Sequence, residues 1–204
     1  MKFAIRPYHP SDLTALYKIC LLTANSGSDG TKLFNDPELV GHFYVAPYVV
    51  LEPEVSFVVT NNGKPSGYIV GARDSQKFAE KCEKDWFPVL RERYPSSSAN
   101  DSLQDAKAIQ RIHDGHKVKE DLKDYPAHLH INLLPETQGH GIGRKIIDVF
   151  INKLKELQVP ALHLEVGKSN PGAIKFYERM GFQIIKEYES SIAYGMKLMS
   201  DSHT

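Results

Sequence analysis

The chain has 204 residues, and its 25 lysine and arginine residues balance 25 aspartate and glutamate residues. The 41% apolar content suits a folded domain with a sizeable core and excludes a disordered chain. No basic excess points to nucleic acid, and no run reaches the roughly 20 apolar residues of a membrane span. The start lacks the apolar stretch of a secretory signal, and Cys20 and Cys82 belong to no paired motif. We therefore expect a cytoplasmic protein that binds neither nucleic acid nor membrane.

The first 72 residues alternate short apolar runs with turn-forming residues. Ser11 or Asp12 is suited to cap a helix, and Asn62-Gly63 between two β-rich runs is a strong hairpin signal. In chain order, these patterns predict a strand at 3–6, a helix at 11–20, a short helix at 37–44 that ends before Pro47, and hairpin strands at 55–60 and 66–72.

The middle of the chain predicts a helical insertion over about residues 75–125. Residues 76–93 and 102–114 favour helix, and a polar crossing segment follows them. The stretch from Pro95 to Asn100 is linker-like but too short to separate two domains. We expect a single domain over residues 1–204.

The last third of the chain alternates strands with helices. The predicted elements are a strand at 128–134, a helix at 141–157, a strand at 161–166, a helix at 170–180, and strands at 182–185 and 192–198. A strand–helix–strand unit demands a parallel pair, whereas the early hairpin demands antiparallel neighbours. The sequence therefore predicts an α/β (α+β) fold, with a mixed, mostly antiparallel sheet flanked by helices.

A glycine-rich segment, Gln138-Gly139-His140-Gly141-Ile142-Gly143, lies between a predicted strand and a predicted helix. Alternate glycines allow successive amides to turn toward one point, and the helix start adds its own unpaired amides and positive dipole end. Such a pocket suits a pyrophosphate, with Arg144 at its rim. A P-loop would need Gly-Lys-Ser/Thr, and a dinucleotide fingerprint would need a glycine where Ile146 stands. A tight turn that only joins strand to helix is the alternative.

Two motifs together point to a family. Gln138-x-x-Gly141-x-Gly143 is followed, after a helix and a strand, by Asn170-Pro-Gly-Ala-Ile-Lys-Phe-Tyr-Glu-Arg-Met-Gly-Phe182. This order resembles the GNAT superfamily of N-acetyltransferases. Residues 52–58, 67–74 and 125–130 extend the resemblance to the acetyltransferase-like domains of O-GlcNAc hydrolases and their free-standing microbial relatives. Some of those domains are catalytically inactive.

The resemblance implies acetyl-CoA as cosubstrate. In this superfamily the parallel strands, here 128–134 and 161–166, splay apart, the pantetheine arm lies between them, and an amine attacks the thioester directly. A module that binds CoA without transfer is the alternative. The residues that would hold acetyl-CoA are Leu133, Leu134, Gln138, Gly139, His140, Gly141, Ile142, Gly143, Arg144, Asn170, Ala173, Phe176 and Tyr177.

Two residues are candidates for proton transfer. Tyr177 lies in the second motif, and its phenol, with an ordinary pKa near 10, could protonate the departing thiolate; packing in the core is the alternative. Glu165 ends a strand as in ribosomal-protein N-terminal acetyltransferases, where a glutamate in this arrangement acts as the base. His128 and His130 share one strand face and are rivals for the role of base. Asp74 is a further rival.

The acceptor is expected to be an amine of a small molecule or peptide. Asp74 and His130 are candidates to bind it, and Asp29 and Asp36 are weaker ones. The His128-x-His130 pair invites a zinc interpretation, but two ligands are insufficient, so we expect no metal. The last strands could pair in a homodimer.

Overall fold

The computed structural model describes residues 1–95 and 102–199. Within these ranges seven strands form one sheet: β1 Phe3–Pro7, β2 Phe57–Asn61, β3 Lys64–Ala72, β4 Ala127–Leu133, β5 Ala161–Gly167, β6 Gln183–Glu187 and β7 Ser191–Lys197. Their order is β1-β2-β3-β4-β5-β7-β6, and only β4 and β5 are parallel neighbours. The predicted mixed, mostly antiparallel sheet is confirmed.

Helices cover both faces of the sheet. Those in the described ranges are α1 Leu13–Leu22, α2 Leu39–Tyr44, α3 Ala46–Leu51, α4 Ser75–Asp85, α5 Phe87–Arg93, α6 Leu103–Asp114, α7 Ile142–Glu156 and α8 Pro171–Arg179. The first six pack in one apolar cluster on one face of the sheet, with Tyr68 and Val70 of β3. The last two pack on the other face, with Ile69 of β3 and Leu162 of β5.

Proline placement accounts for two differences from the predicted helices. The predicted short helix does end at Tyr44, before Pro47, but a second helix, α3, follows at once with Pro47 in its first turn, where a missing amide costs nothing. The predicted helix at 76–93 is split at Trp86, because Pro88 begins a new first turn in α5. The predicted linker from Pro95 to Asn100 lies outside the described residues except for Pro95.

The parallel strands β4 and β5 separate soon after they start. Their pairing is limited to Ala127 with Leu162 and His128 with His163. Beyond these two positions, β4 stays paired with β3 as far as Leu133, and β5 stays paired with β7 to its end. Each strand therefore follows its outer neighbour, and a V-shaped gap opens between them, as predicted.

Candidate active site

The β4 edge presents unpaired backbone groups to the gap. The Leu134 amide donates to the Ser66 carbonyl at 3.0 Å, on the β3 side. Because backbone groups alternate sides along a strand, the amides of Ile131 and Leu133 face the gap. The Leu134 carbonyl also accepts from the Thr137 amide, at 2.8 Å. Of the two leucines predicted to hold the pantetheine arm through their backbone, only Leu133 has an amide directed into the gap.

The glycine-rich loop that follows β4 carries a row of unpaired amides. Among the described residues, none of the six amides from Gly139 to Arg144 donates to a protein acceptor. Gly139 and Gly141 have φ values of 77° and 71°, in the left-handed region that favours glycine. The loop leads directly into the 15-residue α7, whose dipole places partial positive charge at the same point. This arrangement fits a diphosphate without needing a lysine.

The start of α8 lies beside this loop. Asn170 caps the helix, since its Oδ1 accepts from the Ala173 amide at 3.1 Å. A Cβ atom on Gly143 would lie 3.2 Å from Cζ of Phe176, so a glycine permits this close approach of α7 and α8. Arg144 reaches the far end of α8, where it donates to the Arg179 carbonyl at 3.2 Å.

Two other loop side chains contact protein groups. The Gln138 amide nitrogen donates to the Leu133 carbonyl at 2.9 Å, which ties the loop to the end of β4. The His140 ring packs against Phe3 with a centroid distance of 5.2 Å. His140 therefore offers its backbone amide, rather than its imidazole, to a ligand.

Tyr177 is buried on the α7–α8 face of the sheet. Its ring lies 5.3 Å from Phe176, 5.6 Å from Phe182 and 6.5 Å from Tyr194, centroid to centroid. Burial raises the pKa of its phenol, so the group stays protonated across the neutral range. Its hydroxyl makes no hydrogen bond to another described residue and remains free to donate.

A cavity of about 210 Å³ lies on the opposite face of the sheet, where β4 and β5 separate. Both strands contribute alternate side chains, and helices α2 to α4 and the segment after α6 close the other sides. The polar residues that line it are Tyr48, Ser75, His116, Lys117, Lys119, His128, His130, His163 and Glu165. Three sequence-predicted residues, Glu165, His128 and His130, thus share one cavity.

Glu165 is held by two neighbours at the rim of this cavity. Its Oε2 accepts from Lys119 Nζ at 2.7 Å and from Ser191 Oγ at 3.1 Å. The Lys119 ammonium also lies 3.7 Å from the centre of the Tyr188 ring, a cation–π contact. The Glu165 side chain stays 34% exposed, so its second oxygen is accessible to a substrate.

A chain of hydrogen bonds runs through the back of the cavity. Tyr48 Oη lies 2.9 Å from His128 Nε2 and 3.1 Å from His130 Nε2. His128 Nδ1 lies 2.7 Å from Ser75 Oγ, which donates to the Pro126 carbonyl at 2.7 Å. Burial lowers the pKa of His130 to about 4 and that of His128 well below its usual value. Both imidazoles are therefore neutral near pH 7.

The buried imidazoles predict a stability that falls in acid. Burial lowers the pKa of His116 to about 4, like that of His130, whereas an unfolded histidine titrates near 6.5. Between these values the unfolded chain binds protons that the folded chain does not, so stability is complete above pH 6.5 and falls as the pH drops. Urea unfolding should show a loss of roughly 5 kcal/mol between pH 7 and pH 4.5, about half of it from each of these two histidines.

His116→Phe is the matched control for this pH dependence. The His116 ring packs against Phe43, Phe78 and Phe87, and its Nε2 is buried without a partner. A phenyl ring suits these apolar neighbours and cannot titrate. The variant should lose less stability in acid than the parent. An unchanged pH dependence would contradict the contribution of His116 to the loss of stability in acid.

The other predicted substrate residues lie outside the cavity. Asp74 caps α4, since its Oδ1 accepts from the Lys77 amide at 3.1 Å, and the next residue, Ser75, faces the cavity instead. The position of Asp74 therefore gives no support to a role for this residue in amine binding. Asp29 accepts from the Thr31 amide, and Asp36 accepts from Tyr94 Oη at 2.8 Å. Both stabilise loops.

Several residues that line the cavity were not predicted. His163 could have been found from strand alternation, because it lies on the same face of β5 as Glu165 and pairs in register with His128. Tyr48, Ser75 and Lys119 carry no local signal, since each meets its partner through the tertiary fold.

The described residues contain neither a cluster suited to a metal ion nor a helix suited to span a membrane. In residues 1–95 and 102–199, no group of three or more histidine, cysteine, aspartate or glutamate side chains is arranged to hold a metal ion. No helix in the same ranges is long and apolar enough to cross a membrane.

Comparison with known proteins identifies relatives of this fold and loop. Residues 111–182 match the profile of the acetyltransferase (GNAT) family. The solved structure of SsHAT superposes with a TM-score of 0.89 and 33% identity, covering 98% of this chain and 100% of SsHAT. The structure of yncA from Salmonella typhimurium, solved with its cofactor acetyl-CoA, has a TM-score of 0.57 and 12% identity, covering 98% of this chain and 96% of yncA.

A curated relative is much longer than this chain. Protein O-GlcNAcase of Rattus norvegicus is 25% identical over 188 residues, which cover 90% of this chain. The aligned region is only 20% of that protein, so the chain spans about a fifth of the length of the curated relatives it matches first.

Proposed function

Because this chain belongs to the GNAT superfamily of acetyltransferases, we propose that it transfers an acetyl group from acetyl-CoA directly to the amine of a small molecule. The observation that carries the proposal is the row of unpaired amides from Gly139 to Arg144, at the open end of the gap between β4 and β5. The amides suit a diphosphate, and the gap suits an extended pantetheine arm that pairs with a free strand edge.

The chain's own residues divide the binding of acetyl-CoA between them. The amides of Gly139 to Arg144 bind the diphosphate, while Asn170, Ala173 and Phe176 form the neighbouring wall on α8. The Leu133 amide faces the gap and donates to the acetyl carbonyl, which makes the carbon more electrophilic.

The two proposed proton-transfer residues approach the gap from opposite faces of the sheet. Tyr177 lies on the α7–α8 face and donates a proton to the departing sulfur. Glu165 lies in the cavity on the other face and accepts a proton from the incoming ammonium. The thioester and the amine would thus meet within the gap, each with its own proton partner.

The size of the cavity favours a small acceptor over a peptide. Its volume of about 210 Å³ is below the roughly 300–1,000 Å³ of sites that hold drug-sized ligands. The segment after α6 closes one side of the cavity through His116, Lys117 and Lys119. A compact primary amine fits this space.

Glu165→Gln should lower turnover without weakening cofactor binding. The amide retains an oxygen for Ser191 and Lys119 but cannot take a proton from the substrate. We expect kcat to fall roughly 10- to 100-fold, with an unchanged Kd for acetyl-CoA. Glu178→Gln, a carboxylate on α8 outside the cavity, is the control. Equal rates in parent and Glu165→Gln would remove Glu165 as the base.

Calorimetry with acetyl-CoA, followed by thiol release against a panel of small amines, tests the function as a whole. Saturable binding with amine-dependent thiol release is the expected result. Binding without release for any amine would instead favour the alternative, a module that binds CoA without transfer. Absence of binding would refute both.

A further inference from the structure

The hydrogen-bond chain behind the cavity can be assigned in only one direction. The Ser75 hydroxyl has a single proton, which it donates to the Pro126 carbonyl, so His128 Nδ1 must donate to Ser75 Oγ. A neutral His128 then carries no proton on Nε2 and accepts there from the Tyr48 hydroxyl. The Tyr48 oxygen therefore accepts from His130, whose proton must lie on Nε2.

This assignment leaves His130 Nδ1 without a proton. Nδ1 makes no hydrogen bond to any described residue, and it is not among the enclosed polar atoms that lack a partner. Because the His130 ring lines the cavity, its free nitrogen is open to the space that the acceptor would fill. The ring thus presents a lone pair in a fixed orientation on the cavity wall that Glu165 also lines.

Acetyl transfer to an amine requires two protons to leave the nitrogen. The amine arrives as an ammonium with three N–H bonds, and the amide product keeps one. In the proposed function Glu165 takes the first proton, which frees the lone pair for attack. The second proton leaves as the C–N bond forms and the C–S bond breaks, when the nitrogen is far more acidic than a free ammonium.

We infer that His130 accepts this second proton at Nδ1, and that Tyr48, His128 and Ser75 are positioning residues that hold its imidazole in the required tautomer. The inference rests on the proposed acetyl transfer. The proton balance is complete: sulfur receives a proton from Tyr177, one of the two amine protons returns to Tyr177 through water, and the other leaves to solvent.

The basicity of His130 suits this step. Burial keeps its pKa low, at about 4, so the ring is neutral and able to accept a proton near pH 7. A weak base is sufficient, because the nitrogen becomes strongly acidic only once it is bonded to the acyl carbon. The same ring would be a poor acceptor for the first proton. Glu165, an accessible carboxylate at the rim of the cavity, can take that proton and pass it to water.

Tyr48→Phe and Tyr44→Phe form a matched pair for the positioning role. Both phenols lie beside the His130 ring, with ring centroids 5.2 Å and 5.4 Å away, but only Tyr48 bonds to it. Tyr48→Phe removes the acceptor of the Nε2 proton and frees the imidazole to change tautomer. We expect kcat to fall roughly 10-fold with the KM for amine and the Kd for acetyl-CoA unchanged, and Tyr44→Phe to match the parent.

Rescue of His130→Ala by added imidazoles tests the proton-acceptor role. We expect kcat to fall roughly 100-fold and to recover with substituted imidazoles, the recovered rate rising with the pKa of the imidazole. A retained Kd for acetyl-CoA shows that His130→Ala is folded. If His130→Ala does not fold, His130→Gln takes its place, and its kcat should also be low. Parent-like rates in Tyr48→Phe or His130→Gln would overturn the inference. A rescued rate that does not depend on the pKa of the imidazole would also overturn it. In either case, activity of the parent would leave the proposed function intact. A parent without activity toward any amine would refute both.

Discussion

Gly141→Asp should weaken acetyl-CoA binding by roughly 100-fold or more, since two like charges a few ångströms apart at a protein surface repel by several kcal/mol. Gly141 has a φ of 71°, which aspartate and asparagine tolerate better than other residues. A Cβ atom at this position would meet nothing within 4 Å, so the variant should fold. Its carboxylate would lie among the amides that bind the diphosphate. Isothermal titration calorimetry measures the effect directly.

Gly141→Asn is the matched control, because it has the same shape and the same backbone tolerance but no charge. It should bind acetyl-CoA far better than the aspartate variant. Gly63→Asp provides a second control: Gly63 also has a positive φ and open space around a Cβ, but it lies in the β2–β3 turn. Equal affinities for the parent and Gly141→Asp would show that the diphosphate binds elsewhere.

Tyr177→Phe should lower kcat by roughly 100-fold while the Kd for acetyl-CoA changes little. The phenol is buried, and burial raises its pKa. The hydroxyl has no hydrogen-bond partner among the described residues, so its removal leaves no polar group unpaired. The ring contacts with Phe176 and Phe182 persist in phenylalanine. Steady-state thiol release and calorimetry together separate the loss of a proton donor from a loss of binding.

Tyr194→Phe is the control for removing a neighbouring phenol. Its ring is 6.5 Å from that of Tyr177, and its hydroxyl donates to Glu178 at 3.2 Å rather than facing the gap. Turnover in Tyr194→Phe should match the parent. If Tyr177→Phe retained the parent's kcat, Tyr177 would be a packing residue and sulfur would take its proton from water.

The part of the site that would bind acetyl-CoA was predictable because its signals are local in sequence. Gly141 and Gly143 are required by backbone conformation and by close packing on Phe176, and Asn170 is required as a cap. The strand–helix–strand order after residue 127 also demands a parallel pair. These constraints act within a few residues or within one supersecondary unit.

The contacts within the cavity that would bind the amine were not predictable, because they join residues distant in sequence. Tyr48 meets His128 across 80 positions, and Lys119 meets Glu165 across 46. Tyr48 also lies on α3, a short helix that begins at Ala46 and was not predicted. A tyrosine or lysine carries no pattern that names a partner so far along the chain, so the sequence indicated Glu165 and His130 as candidates but not the residues that hold them.

A crystal structure with acetyl-CoA bound tests the central claim most directly. We predict that the diphosphate oxygens lie within hydrogen-bond distance of the amides of Gly139 to Arg144. The pantetheine arm should pass between β4 and β5, with the acetyl oxygen facing the Leu133 amide. Acetyl-CoA bound away from these amides, or an empty gap between the two strands, would contradict the account.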